Sequence, residues 1–132
     1  AEFLMSATSI PTSSNPVDNA SDPSISVVMV VRNEEKYIAE AIQSILDQTL
    51  SDFEFIIVDD NSTDRTKEII GSFSDPRIQL FDNPNNPGRP GSLNFGYAQA
   101  RGRYIAHTDG DDISLPNRIQ LLYEFMESHP EI

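Results

Sequence analysis

An α/β fold, a mostly parallel sheet with helices on both faces, is predicted by three features of this chain. From Ser24 onward, runs of β-branched and aromatic residues alternate with segments of helical periodicity. The runs are nearly continuous in apolar character, as strands buried on both faces must be. Polar clusters recur at one end of those runs, the end at which open α/β sheets bind ligands.

Ile25 to Val31 is the first strand, and Asn33 is expected to cap the helix after it. Glu34 and Glu35 would sit in that helix's first turn, where carboxylates suit the dipole. Tyr37, Ile38, Ala41, Ile42, Ile45 and Leu46 recur at the spacing of one helical face. Phe53 to Val58 is a second buried strand that ends in Asp59-Asp60. Asp64 is placed to cap a second helix carrying Ile69, Ile70 and Phe73. Arg77 to Phe81 is a short third strand, followed by a turn-rich loop from Asp82 to Pro90. Ser92 to Arg101 reads as a helix with Gly102 just past its end. Tyr104 to Thr108 is the fourth strand. Pro116 fits the first turn of a last helix, with Ile119, Leu122, Tyr123 and Met126 on one face. Right-handed crossovers would join these units.

Residues 1–24 differ from the rest. Ala7 to Pro16 is polar, interrupted by proline and aperiodic, so the segment is expected to be a disordered lead-in. Ala1 to Leu4, ahead of Met5, read as a cloning remnant outside the fold.

The 132 residues make one domain's worth of chain, with a formal net charge of −12. That balance argues against a nucleic-acid partner or an anionic membrane surface, both of which want basic patches. It leaves room for a phosphorylated ligand if a metal or local arginines neutralise it. The absence of cysteine excludes disulfides, zinc–thiolate sites and thiol nucleophiles. No apolar run approaches the roughly 20 residues that span a bilayer.

The densest polar cluster is Asp109-Gly110-Asp111-Asp112, directly after the fourth strand. Three neighbouring carboxylates repel one another and raise each other's pKa. A hard divalent ion removes that penalty and keeps open positions for phosphate oxygens. The alternative is a solvated acidic turn. An EF-hand is excluded, because counting from Asp109 the twelfth position is Gln120 and the sixth is not glycine. Val31-Arg32-Asn33-Glu34 lacks the glycines of a dinucleotide fingerprint. The acidic residues are displaced from the pattern of a phospho-accepting receiver domain. No Ser-His-Asp arrangement is legible. His107, within a strand, reads as packed or supporting, and His129 suits a helix C-terminus.

Four ordered blocks resemble family 2 glycosyltransferases of the GT-A fold. Ile25 to Glu34 is similar to that family's opening strand, and Phe53 to Asp64 to its second strand and acidic turn. Asn86 to Asn94 resembles its Asn-x-Gly…Asn loop. Gly102 to Ala106, followed by Asp109-Gly110-Asp111-Asp112, resembles its Asp-x-Asp segment. The resemblance implies a Rossmann-like, donor-binding half of an inverting transferase over residues 25–132. Its partners would be a nucleotide-diphosphate sugar, a UDP-sugar first, and a saccharide or lipid-linked acceptor in the full-length protein. It implies that Asp60 holds the base, Asp59 shapes the base and ribose pocket, Asp109 meets the ribose, and Asp111 binds Mn²⁺ or Mg²⁺. Val30, Arg32 and Asn33 stand where the family often has Pro-x-Tyr-Asn, and so belong to the expected base contact. Arg32 has a competing use in a salt bridge to Glu34 or Asp60. Arg89 is a candidate for a donor-phosphate or base contact, with a plain surface arginine as its alternative. Asp112 is expected to support the ligands or cap a helix. The resemblance puts the general base beyond Ile132, so the fragment alone would turn over negligibly, in a cytoplasmic or membrane-associated setting. A non-catalytic nucleotide or metal module, and a sugar-nucleotide hydrolase or nucleotidyltransferase, are the alternatives.

Overall fold

A computed structural model describes residues 6–8, 22–83 and 88–130. The elements run β1 (Ser6–Thr8), β2 (Ile25–Val31), α1 (Ile38–Leu46), β3 (Phe53–Asp59), α2 (Thr66–Gly71), β4 (Ile78–Asp82), α3 (Arg89–Gln99), β5 (Tyr104–Asp109) and α4 (Arg118–Ser128). The sheet order is β1-β5-β2-β3-β4. β5, β2, β3 and β4 are parallel neighbours, and β1 lies antiparallel on β5. This is the α/β architecture that the alternating runs predict.

Alternation along the strands feeds two cores. Ile25, Val27, Met29 and Val31 of β2 and Phe55 and Ile57 of β3 pack with Ile38, Ile42 and Ile45 of α1 and Ile119 and Met126 of α4. Val28, Val30, Ile56 and Val58 turn to the opposite face, against Leu93, Phe95 and Tyr97 of α3. Every residue of β2 and β3 is buried, which is why neither strand shows a polar face in the sequence.

Several local expectations are corrected. Ser6–Thr8 forms a strand inside the stretch expected to be a disordered lead-in; it pairs with a β5 edge whose backbone groups would otherwise lack partners. Most of the remaining lead-in, and Asn86-Pro87 of the loop, lie outside the described residues. Asn33 caps no helix: α1 begins at Ile38, after a turn in which Glu34 O accepts from Tyr37 N and Ile38 N at 3.0 and 2.9 Å. Tyr37 is exposed, off the buried stripe. α3 starts at Arg89 rather than Ser92, because Pro90 in a first turn costs no intrahelical bond. Pro116, in contrast, precedes α4, whose first helical residue is Arg118. Asp64 does serve the start of α2, accepting from Thr66 N at 2.9 Å. His129 ends α4 with Nδ1 at 2.9 Å from Phe125 O.

Arg77 staples the amino end of the sheet. Its guanidinium meets Asp75 through Nε at 3.0 Å and Nη2 at 2.8 Å, reaches Ser51 O and Leu46 O, and lies 4.4 Å from the Phe53 ring centroid. Hydrogen bonds from Arg77 hold the Asp75 carboxyl below the usual carboxylate range. The folded group is then the stronger acid. Its contribution is complete above the unfolded pKa of about 4 and is lost as pH falls through the depressed value. Asp75→Asn is therefore expected to cost about 1 kcal/mol at pH 7. In urea melts the difference from the parent should shrink towards zero well below pH 4; a pH-independent difference would contradict this account.

No helix among the described residues is long and apolar enough to cross a membrane.

Candidate functional site

The strand register gathers acidic residues along one edge of the sheet. Val31 is opposite Asp59, Asp59 is opposite Asp82, and Val30 is opposite Asp109. The chain proceeds from β2 to β3 and β4 on one side, then returns to β5 on the other. The order therefore reverses between β2 and β5, and it is beyond the carboxyl ends at such a reversal that open α/β sheets bind ligands. Asp109 and Val30 stand on either side of that reversal.

The loop after β5 starts at this reversal. Gly110 is required there by close approach: a Cβ would sit 2.8 Å from Val31 Cγ1 and 3.2 Å from Glu34 Cγ. Asp112 N donates to Asp109 O at 3.1 Å, folding the turn so that one oxygen from each of Asp109, Asp111 and Asp112 lies within 4.8 Å of the others. Asp112 is 8% exposed, and its buried Oδ2 has no hydrogen-bond partner among the described residues. Burial, then Asp109 and Asp111, push its pKa up. Burial, then Asp111 and Asp109, do the same to Glu34. Clustered hard oxygens, one of them buried and unpartnered, fit a divalent cation such as Mg²⁺ or Mn²⁺.

Helix α1 and the residues just after it hold this loop from behind. Ser44 Oγ accepts from Ser114 N at 3.0 Å, Gln48 Nε2 donates to Leu115 O at 2.7 Å, and Gln48 Oε1 accepts from Ile119 N at 2.8 Å. Thr49 N donates to Pro116 O at 2.8 Å.

The second cluster stands at the end of β3. Asp59 is 1% exposed; Oδ2 accepts from Ser62 N at 3.0 Å, and Oδ1 is buried without a partner. Asp60 is 4% exposed and accepts from Gly88 N at 3.2 Å and Asn61 Nδ2 at 3.5 Å, both through Oδ1. Asn33 takes a left-handed φ of 53° and uses Oδ1 to accept from Thr63 N at 2.8 Å and Asp64 N at 3.3 Å. Glu34 N donates to Thr66 Oγ1 at 2.8 Å in the same brace. The Asn33 carbonyl thus ties the β2 and β3 loops together. Val30 is 4% exposed, within the α3-side core. Arg32 is exposed and, among the described residues, forms no salt bridge to Glu34 or Asp60.

Arg89 joins the two clusters. Its guanidinium meets the Asp109 carboxylate and lies 3.1 Å from His107 Nε2, while Gly88, one residue earlier, donates to Asp60. His107 Nε2 is also 3.2 Å from Asp109 Oδ1. Burial first, aided by Arg89 and opposed by Asp109, lowers the His107 pKa. One imidazole nitrogen cannot accept from Arg89 and donate to Asp109 at once. A neutral ring accepting at Nε2 satisfies the arginine, and the arginine in turn satisfies Asp109.

Asp59, Asp60, Asp109 and Asp111 therefore share one edge, as their positions at strand ends predict, and Arg89 reaches it from the start of α3. The sequence suggests for Glu34 a helix-dipole role or an ion pair with Arg32, and gives no sign of Gly88 as a donor or of Gln48 as a support for the loop. His107 could have been linked to Asp109 from its place two residues earlier on the same face of the strand. The other contacts join residues far apart in the chain.

The profile of the family described as "Glycosyl transferase family 2" matches residues 26–132. A glycosyltransferase of Methanocaldococcus jannaschii is 46% identical over 114 residues, which are 83% of this chain and 39% of that protein. The Escherichia coli UDP-Glc:alpha-D-GlcNAc-diphosphoundecaprenol beta-1,3-glucosyltransferase WfgD is 36% identical over 102 residues, 77% of this chain and 40% of its own length. Among solved structures, S. aureus TarS 1-349 in complex with UDP superposes with a TM-score of 0.73 at 28% identity, covering 81% of this chain and 33% of that one. The mannosyltransferase PcManGT of Pyrobaculum calidifontis, in complex with GDP-Man and Mn²⁺, gives 0.67 at 26%, covering 85% and 35%. The chain thus spans about two-fifths of the length of these curated relatives.

Proposed function

We propose, since the chain belongs to glycosyl transferase family 2, that its carboxyl edge binds the donor of a metal-dependent, inverting sugar transfer from a nucleotide-diphosphate sugar. The observation that carries this reading is the Gly88-Arg89 turn, which ties Asp60 to Asp109 across the reversal in strand order. We read the Asp60 side as the base end and the Asp109 side as the phosphate end of one donor site. UDP and GDP-Man in the related TarS and PcManGT structures support a nucleotide donor, and Mn²⁺ in the latter supports a cation.

Asp60 already accepts from Gly88 through Oδ1 and is assigned its second oxygen for a base N–H. Asp59, bonded to Ser62 N, fixes the wall beside it, and Asn33 holds the two loops in register. Arg32, exposed and without an ion pair among the described residues, is assigned to the base side, and the Val30 backbone to the floor. Asp109 is assigned to the ribose and Asp111, with Asp112 behind it, to the cation. When bound, Mn²⁺ or Mg²⁺ would stabilise charge on the leaving diphosphate as a Lewis acid. Arg89 adds a guanidinium where that charge develops. Inversion requires the acceptor hydroxyl to approach the anomeric carbon opposite the diphosphate. The carboxylate that takes its proton is assigned to no residue of this chain, and the acceptor is a saccharide or lipid-linked sugar.

Calorimetric titration of UDP, GDP and dTDP, each with and without Mn²⁺, tests the assignment. UDP is expected to bind best and to gain affinity with Mn²⁺. Asp60→Ala should weaken UDP about tenfold or more in both conditions, the scale of a lost hydrogen bond to a charged group. Binding that ignores the metal and survives Asp60→Ala would overturn the reading.

A further inference from the structure

Arg89 sits where two demands on Asp109 conflict. Its guanidinium engages the Asp109 carboxylate and lies within hydrogen-bond distance of His107, so the strand-end acid of the cluster already has a counter-charge. The Arg89 side chain is 50% exposed, whereas that of Asp109 is only 19% exposed. The arginine can swing outward; the strand-end aspartate cannot follow it. A cation approaching Asp109, Asp111 and Asp112 would meet a resident positive charge on one side of the site. A diphosphate would meet the same guanidinium as a ready partner, since a planar fork suits phosphate oxygens. The adjoining Gly88 N–H holds Asp60 at the other end of the donor site, so the turn that carries Arg89 is anchored while its side chain moves. The unpartnered, buried Oδ2 of Asp112 gives the acidic cluster an acceptor that the fold leaves unused.

We propose that Arg89 is a resident counter-ion for Asp109 that the donor's diphosphate draws away, so that the site takes a divalent cation tightly only together with a nucleoside diphosphate. This rests on the donor-site reading above and adds an order to it: cation and nucleotide raise each other's affinity, reciprocally, as linkage requires. No change in backbone conformation is needed. The exchange replaces one ion pair, arginine with Asp109, by two, arginine with phosphate and cation with carboxylate.

The test measures Mn²⁺ alone, UDP alone and the two together on the parent, Arg89→Gln and Arg89→Lys. Free Mn²⁺ is read by its electron paramagnetic resonance signal, and UDP by calorimetry. For the parent, Mn²⁺ alone should bind weakly and tighten when UDP is added. Arg89→Gln should bind Mn²⁺ alone roughly tenfold more tightly, the direction set by removing a neighbouring like charge. The same variant should bind UDP less well and lose most of the mutual enhancement. Arg89→Lys keeps the charge and should stay within about threefold of the parent for Mn²⁺ alone. If Arg89→Gln leaves Mn²⁺-alone binding unchanged or weaker while the parent still binds UDP with Mn²⁺, the counter-ion role is overturned and the donor site stands. If the parent shows no binding of UDP with Mn²⁺, both fall together.

Discussion

Asp111→Ala is expected to remove the metal-dependent part of nucleotide binding almost entirely, a loss of about a hundredfold or more in the presence of Mn²⁺. Partners standing behind metal ligands already cost 10–100-fold, so a direct ligand should cost at least that. The three carboxylates are not equivalent. Asp109 is engaged by Arg89, and Asp112 is buried at the back of the turn. Asp111 alone of the three is exposed, so it can meet an incoming ion without first giving up a partner. Its removal also relieves repulsion on Asp112 and Glu34, whose carboxyl pKa values it helps to raise. The variant should therefore be at least as stable as the parent without metal, and a lost signal could not be assigned to unfolding. Ser114→Ala is the matched control. Ser114 lies just after the cluster, buried, with an Oγ that has no partner, so its removal should leave both stability and binding near parental values. Calorimetry of UDP with saturating Mn²⁺ decides the matter. An Asp111→Ala protein that keeps the metal-dependent gain would move the cation elsewhere.

What could be read in the chain before its fold was the set of features that repeat locally. The strand cores Ile25–Val31 and Phe53–Val58 stand out because every residue in them is buried, which favours a nearly continuous apolar run. Asp59, Asp60 and the Asp109–Asp112 loop could be placed on one edge because all follow strands of one direction. Helix starts were less legible. Arg89 and Pro90 read as loop, yet a first turn asks little of the sequence at those positions. Asn33 has the composition of a cap, but its left-handed backbone and its bonds to Thr63 and Asp64 answer to a loop thirty residues away. Gln48 carries no local signal of its contacts with Leu115 and Ile119, since they form only when α1 meets the segment after the acidic turn. The general pattern is that composition reveals where a site lies, and long-range hydrogen bonds determine how it is held.

Gly102→Ala is expected to lose about 3 kcal/mol of stability, near the top of the usual cost of overpacking, while leaving nucleotide affinity per folded molecule unchanged. Gly102 reads from the sequence as the residue just past a helix, but α3 ends at Gln99 and its C-cap is Ala100, in extended conformation. The glycine answers instead to contact with β2. A Cβ there would lie 2.6 Å from Ser26 N, 2.7 Å from Ile25 C and 2.7 Å from Ser26 Oγ. Two of those atoms are backbone of a central strand, so the clash cannot be relieved by turning a side chain. Any shift would also strain a buried relay, in which Gly102 N donates to Ser26 Oγ at 2.8 Å and Ser26 Oγ in turn donates to the Glu54 carboxylate. Arg101 N, Arg101 Nε and Gln79 Nε2 also surround Glu54, so a displaced residue disturbs the donors of a buried carboxylate. All of this lies at the amino edge of the sheet, the length of a strand away from Asp60 and Asp111. A lower urea midpoint with unchanged UDP affinity at low temperature is the expected pair of results. A variant that folds as stably as the parent would show that the approach to Ser26 can relax, and one that folds normally but loses UDP would show that the two edges are coupled.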